Sequence, residues 1–290
     1  MRCAFLTMAD EGDFVTDYAL AIPHLEALGW TVELVPWRDD STRWDDYDAV
    51  YIAAPWDYPE DPGAFSRTLA QIEASPARLV NALSIVTWNL DKAYLRDLEL
   101  SGVAIVPTIF REGFDAAALD EACDRFSTDR IIIKPRVGAN AADTFVLPAG
   151  GLAPARQRAL ARLYRERPHM LQPYVRSIET VGEYSLFYLN GAYSHAIQKV
   201  PAAGDFRVQE EHGAAILPAS PEPSLAAAGA VAVAAIPGRT CYARADFVAN
   251  DGAWQLMELE LVEPSLYLRM EPGAPARFAA ALDAHVRAPA

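Results

Sequence analysis

The stretch that decides the fold is Cys241-Tyr242-Ala243-Arg244-Ala245-Asp246-Phe247-Val248-Ala249-Asn250, then Asp251-Gly252-Ala253, then Trp254-Gln255-Leu256-Met257-Glu258-Leu259-Glu260-Leu261. Two runs of alternating character flank a turn signal, which predicts an antiparallel hairpin. Side chains alternate along a strand, so Arg244 and Asp246 share one face, as do Glu258 and Glu260. A three-residue loop over 251–253 would set Asp246 opposite Glu258 and Arg244 opposite Glu260. Ala245, Phe247, Met257 and Leu259 then form an apolar opposite face. Three carboxylates on one face repel each other unless cations intervene, and hard oxygen ligands at that density suit Mg²⁺. A solvated face with an Arg–Glu pair is the plainer reading.

Working back along the chain, Tyr184–Leu189 and Tyr193–Lys199 flank Asn190-Gly191, a second hairpin signal. Helical stretches at Ser224–Ala235 and Ala274–Arg287 would cover this antiparallel sheet. Before it lies a smaller unit, with a helix at Asp115–Arg125, strands at Ile131–Lys134 and Thr144–Leu147, and a helix near Ala153–Arg165. Lys134 ends an apolar strand, which is costly unless something anionic meets it. Small residues in the loop that follows, 136–144, would let backbone N–H groups approach phosphate oxygens. A lysine snorkelling from a strand end is the alternative.

Gln172-Pro173-Tyr174-Val175 reads as a linker, or as a hinge whose backbone recognises a purine edge. Glu183 stands at a strand mouth, where ribose hydroxyls could be met. Asn89 to Ser101 is read as one helix stopped by Gly102, with Lys92 in its first turns beside Asp91. The first ~85 residues alternate strand and helix: strands at 2–7, Thr31–Val35, Ala49–Ala54 and Leu79–Asn81, helices at Asp17–Leu28 and Pro62–Ala74. That alternation predicts a parallel sheet covered by helices on both faces.

Composition removes several classes. The chain has 290 residues with 52% hydrophobic, enough for two or three packed units, and no apolar run of membrane-span length. A net charge of −14 argues against nucleic acid as a partner. The N-terminus reads as a first core strand and not a signal peptide, and Cys3, Cys123 and Cys241 lack metal spacing, so a cytoplasmic protein with reduced thiols is expected.

The order of these features resembles the ATP-grasp superfamily: a lysine, a strand lysine with a small-residue loop, a hinge, a strand-mouth Glu, then Asp…Glu-x-Glu. Within it, Pro55-Trp56-Asp57-Tyr58, Trp88-Asn89-Leu90-Asp91-Lys92 and Glu258-Leu259-Glu260-Leu261-Val262-Glu263-Pro264-Ser265 are similar to the glutathione-synthetase and RimK-like branch, and there to the D-cycloserine-forming cyclo-ligases of the DcsG type.

The resemblance implies a mixed α/β and α+β fold with three parts. Residues 1–88 would be an N-terminal α/β preceding domain, 89–173 a central lid subdomain, and 174–290 a C-terminal sheet domain carrying the metal site. It implies that Lys92 and Lys134 bind ATP phosphates under the loop 136–144, and that Gln172, Pro173, Tyr174 and Val175 grip adenine. Glu183 would bind ribose. Asp246, Glu258 and Glu260 would hold two Mg²⁺ ions, with Mn²⁺ as an alternative. Arg244 would steady an acyl phosphate, and Arg207 and Lys199 would meet phosphate or a substrate carboxylate. Two departures stand out: Glu260 replaces the family's usual Asn, and the loop 136–144 has a single glycine, Gly138.

The implied activity is an ATP-dependent carboxylate–amine ligase, intermolecular or cyclising, acting on small molecules; oligomeric state is left open. A nucleotide-binding sensor without chemistry is the rival from another class. Trp56, Asp57 and Tyr58 are substrate-side candidates at a strand's carboxyl end. None of His24, His169, His195, His212 or His285 has metal spacing, and His212 is the best placed of them.

Overall fold

The computed structural model describes residues 1–289, arranged around three sheets. The N-terminal part runs β1 (Arg2–Thr7), α1 (Ile22–Ala27), β2 (Thr31–Pro36), β3 (Ala49–Ala54), α2 (Pro62–Glu73) and β4 (Arg78–Val80). All its strand pairs are parallel, in the order β2-β1-β3-β4. β1 and β3 are apolar on both faces because both are covered. Phe65, Leu69 and Ile72 of α2 pack on Leu6 and Ile52, and α2 is begun by Asp61, whose carboxylate accepts the Ala64 N–H at 2.8 Å. The helix expected over Asp17–Leu28 is split, its first turn a 3-10 helix at Tyr18–Ala21.

The middle part holds α3 (Leu83–Leu90), α4 (Tyr94–Leu100), β5 (Ile109–Arg111), α5 (Ala117–Phe126), β6 (Arg130–Pro135), β7 (Phe145–Pro148), α6 (Pro154–Leu163) and β8 (His169–Pro173). Its sheet is antiparallel, in the order β5-β8-β6-β7. Two expectations are corrected here. The single helix from Asn89 to Ser101 is two helices, starting at Leu83 and broken at Asp91–Ala93. Asp91 is extended (φ −103°, ψ 116°), and its carboxylate accepts the Ala93 N–H at 2.9 Å, a local bond that competes with the helix. Lys92 therefore sits in the break. Gln172 and Pro173 are not linker but the end of β8, paired with Ile132 and Ile131.

The C-terminal part comprises β9 (Glu183–Leu189), β10 (Ala192–Val200), β11 (Ala215–Ala219), α7 (Pro223–Ala234), β12 (Tyr242–Asn250), β13 (Ala253–Glu260) and α8 (Ala274–Arg287). Its antiparallel order is β11-β10-β9-β12-β13. Asn190 (φ 48°) and Gly191 (φ 78°) make the two-residue turn expected of their sequence. The acidic hairpin also turns on two residues, Asp251 and Gly252, with Asn250 opposite Ala253, so the three-residue loop is corrected. A register shift between Asp246 and Phe247 then inserts Met257 as an extra residue, and the shift restores Asp246 opposite Glu258 and Arg244 opposite Glu260. α7 covers one face of this sheet. α8 does not simply cover it but lies between this sheet and the N-terminal one, Phe278 packing 4.9 Å from the Tyr51 ring.

Candidate active site

The central and C-terminal sheets face each other across a deep cleft whose third side is the carboxyl end of β3. The space between the walls, counting the part open to solvent, is about 1660 Å³. Lys92, Lys134, Gln172, Pro173, Tyr174, Val175, Glu183, Lys199, Arg207, Arg244, Asp246, Glu258 and Glu260 all line it.

The floor is the acidic hairpin, and its charges are interleaved. Arg244 lies 2.9 Å from Asp246 and also contacts Glu260. Lys92 reaches Glu258 at 3.0 Å, and its Nζ donates to the Gly138 carbonyl at 2.7 Å. Lys199 is 3.0 Å from Glu183 and 3.6 Å from Asp246, and the Ser185 hydroxyl donates to Asp246 at 2.5 Å. The close pairing of Glu183 with Lys199 depends on Gly182 (φ +78°). A Cβ there would lie 2.3 Å from the Lys199 carbonyl oxygen, which no side chain tolerates. The expected mutual repulsion of bare carboxylates is thus partly offset, because basic side chains already stand between them, and it persists at Glu260.

Burial alone would raise the Asp246 carboxyl, but Arg244 and Lys199 outweigh it and hold it below the usual range. Glu258 is likewise held down against burial, by Lys92 and Lys134. Glu260 goes the other way. Burial raises it first, the shared Arg244 opposes, and Glu258, Asp246 and Glu263 add repulsion, leaving it at about 8. Glu263, three residues on, is pushed up to about 7, again by burial first.

Lys134 is the exception among the bases. It lines the cleft with no carboxylate in contact, its nearest polar partner being the Met257 sulfur at 3.9 Å, and burial pulls its pKa down. A desolvated cation without an anion suits a phosphate. For a metal, the donor chemistry fits: Asp246, Glu258 and Glu260 are hard oxygen ligands in one wall. Their present geometry is not yet a cage, since among the described residues no three acidic, histidine or cysteine groups converge on one point. Lys92 and Arg244 would have to give up those oxygens to an ion.

Over the cleft, Arg136 makes a bidentate pair with Asp91 (2.8 and 2.6 Å), and Arg167 holds Asp143 at 2.5 Å. The loop's left-handed positions fall on Asn140, Ala141 and Asp143, not on Gly138. Gln172 donates to the Thr108 hydroxyl at 2.9 Å, while its side-chain oxygen is buried without a partner. Arg207 pairs with its own neighbour Asp205 at 2.7 Å.

Among the substrate-side candidates, Trp56 and Tyr58 line the cleft, and the Trp56 indole donates to the Glu263 carbonyl at 2.9 Å. Asp57 does not; it turns away to Trp37 Nε1 (2.5 Å) and Arg38 Nε (3.1 Å). No histidine lines the cleft, His212 included; His195 instead stacks on Phe187 at 4.3 Å.

The sequence reading missed the apolar lining. Ile132, Ile178, Phe206 and Val208 face the cleft, and Met257, assigned to the opposite face, is turned into it by the extra residue in β13. Ile132 was within reach, because it alternates in phase with Lys134. Glu263 had no signal of its own beyond its acidic neighbours.

A parallel α/β sheet followed by two antiparallel sheets that clasp a cleft of lysines and carboxylates defines an ATP-grasp protein. The comparisons agree. The sequence model described as "D-cycloserine synthetase DcsG, N-terminal domain" matches residues 3–81. The cycloserine biosynthesis protein DcsG of Streptomyces lavendulae is 33% identical over 281 residues, covering 90% of this chain and 91% of that one. The crystal structure of D-cycloserine synthetase DcsG superposes with a TM-score of 0.87 at 28% identity, covering 99% of this chain and 100% of that one. D-alanine–D-alanine ligase from Bacillus anthracis shares the fold, with TM-score 0.67 at 15% identity over 98% of this chain and 95% of that one.

The chain belongs to the DcsG family of ATP-grasp ligases. It is an ATP-dependent, amide-bond-forming enzyme, and the reading as a sensor without chemistry is set aside.

Proposed function

We propose that this ligase activates a substrate carboxylate as an acyl phosphate, joins it to a nitrogen of the same small molecule, and releases ADP and phosphate. The observation that carries this is one cleft holding an unpaired Lys134 opposite the Asp246, Glu258 and Glu260 wall. Lys92 and Lys134 bind the ATP phosphates. Ile132, Val175, Phe206 and Met257 sandwich the base, while Gln172–Val175 meet its edge. Glu183, braced by Lys199, takes the ribose. Magnesium at Asp246, Glu258 and Glu260, as two ions with Mn²⁺ able to substitute, would neutralise the transferring phosphoryl group. Arg244 sits where it can hold the acyl phosphate oxygens, and Arg207 a phosphate or carboxylate. Residues 89–173 would close as a lid against 1–88 and 174–290, keeping water from the acyl phosphate.

The cyclising form of the reaction draws support from the relatives, both described by cycloserine, a ring closed by a carbonyl–nitrogen bond. The wall bearing Trp56 and Tyr58 lies in the part matched by the DcsG N-terminal model. We place the enzyme in the cytoplasm, where ATP is available. Among the described residues no helix is long and apolar enough to cross a membrane.

The test is ADP release and product mass with single amino acids whose side chain ends in an aminooxy nitrogen. A cyclic product, one ADP per turnover and no added amine is the expected result. ADP release only when a separate amine is supplied would replace cyclisation with intermolecular ligation.

A further inference from the structure

The strand that carries Glu258 and Glu260 is the last of its sheet, so half its backbone groups have no strand to pair with. At Leu256 they are met by backbone, its N–H donating to the Ala104 carbonyl at 2.8 Å and its carbonyl accepting from the Val106 N–H at 3.0 Å, and from Leu259 onward they are met by side chains. The Leu259 N–H donates to the Tyr94 hydroxyl at 2.9 Å. The Leu259 carbonyl accepts from Asn89 Nδ2 at 2.8 Å, and the Leu261 N–H donates to Asn89 Oδ1 at 2.8 Å. On the same residue, the Leu261 carbonyl accepts from Asn81 Nδ2 at 2.9 Å. On its inner edge the same segment pairs with β12, Asp246 opposite Glu258 and Arg244 opposite Glu260.

Beyond the backbone bridge at Leu256, Asn89, Tyr94 and Asn81 thus take over this edge with side chains alone. Asn89 and Tyr94 bracket the helix break that delivers Lys92 to Glu258 at 3.0 Å. Leu259 lies between the two glutamates, and its peptide groups fix their directions, because successive side chains leave a strand on opposite faces. Leu259 points into the core while Glu258 and Glu260 point into the cleft.

From this we infer that Asn89 and Tyr94 are positioning residues, holding the outer edge of β13 so that Glu258 and Glu260 aim at a shared cation. The inference rests on the metal role proposed for those glutamates. Tyr94 is buried and does not line the cleft, so it can act on a bound nucleotide only through the strand. A water molecule cannot replace it easily in that apolar surrounding, which makes loss of the hydroxyl felt at Leu259.

The test is calorimetry of ADP binding with and without Mg²⁺, on the parent, Asn89→Ala, Tyr94→Phe and a control, Ile72→Val, in the N-terminal core. The quantity read is the gain in ADP affinity that Mg²⁺ provides. Loss of a group that orients metal ligands costs about 10–100-fold in metal affinity, so that gain should shrink at least ~10-fold in Asn89→Ala and ~3-fold in Tyr94→Phe. Affinity for ADP alone should stay within about twofold in Tyr94→Phe, which does not line the cleft, and the control should keep the full gain. An undiminished gain in Tyr94→Phe overturns the inference, even if Asn89→Ala fails to fold. A parent that shows no gain at all would instead remove the metal reading on which it rests.

Discussion

Replacing Glu260 by Gln should make the ligand-free protein relatively more stable as pH rises. The Glu260 carboxyl is pushed up to about 8, by burial first, with Glu258, Asp246 and Glu263 repelling its charge. Arg244 opposes the shift but is shared with Asp246. In the unfolded chain the same carboxyl titrates near ~4.3. Between the two values the folded state keeps a proton that the unfolded state has released. Raising the pH through that window therefore favours unfolding, and the loss is complete only above the folded value.

From pH 6 to pH 8 the linkage amounts to roughly 2 kcal/mol for a folded value of about 8. Gln cannot titrate, so the stability gap between parent and variant should shift by that amount in the variant's favour. In melting temperature this is roughly 3–4 °C for a chain of 290 residues. Groups remote from Glu260 cancel in the comparison, while Glu263, at about 7 and repelled by Glu260, titrates more easily once that charge is gone. The neutral His195 and His285, both lowered to about 4 by burial, contribute equally to the two proteins. Paired melting curves at half-unit pH steps measure the gap directly. A gap that stays constant from pH 6 to 8 refutes the account of Glu260 as a buried, crowded carboxyl. Adding Mg²⁺ and ADP to the parent should flatten its own pH dependence, since coordination needs the ionised carboxylate.

Three further outcomes follow from the same geometry. Lys134→Met should weaken MgATP binding about 10–100-fold by calorimetry, the worth of one charge-assisted bond, while leaving the melting temperature unchanged or higher. Glu258→Gln strands Lys92, whose only other partner is the Gly138 carbonyl, so the apo protein should lose about 1–3 kcal/mol in denaturant unfolding. The same variant should slow ADP release by at least the ~10–100-fold lost with an outer-shell partner, because Glu258 is itself a proposed ligand. Asp57→Asn should lower stability with little change in KM for any substrate, whereas Trp56→Ala should raise KM, because only Trp56 faces the cleft.

Which parts of this enzyme could be read from its residues follows from the range of the forces involved. Asn190-Gly191 and Asp251-Gly252 declare their turns through local backbone preference, so both hairpins were legible without any partner. The placement of Asp246 opposite Glu258 was reached through a loop one residue too long, and the structure reaches it through a shorter turn and an extra residue. Alternation along a strand cannot reveal such an insertion, because a one-residue slip only exchanges faces. That is why Met257 was assigned to the core and is found in the cleft.

The helix break at Asp91 has a local cause, the side-chain bond to Ala93, but apolar periodicity across Leu83–Leu100 hides it. The neutralisation of each carboxylate was beyond reach for a different reason. Lys92, Lys199 and Arg244 come from separate strands and from a helix break, and their convergence depends on sheet packing rather than on neighbours in sequence. The same holds for Asn89. As a residue in a helix it carries no signal, and its role exists only because β13 ends a sheet and leaves its peptide groups to whatever packs beside it. Short-range chemistry can be read from the chain, while the sign of an electrostatic site is set by what folding brings to it.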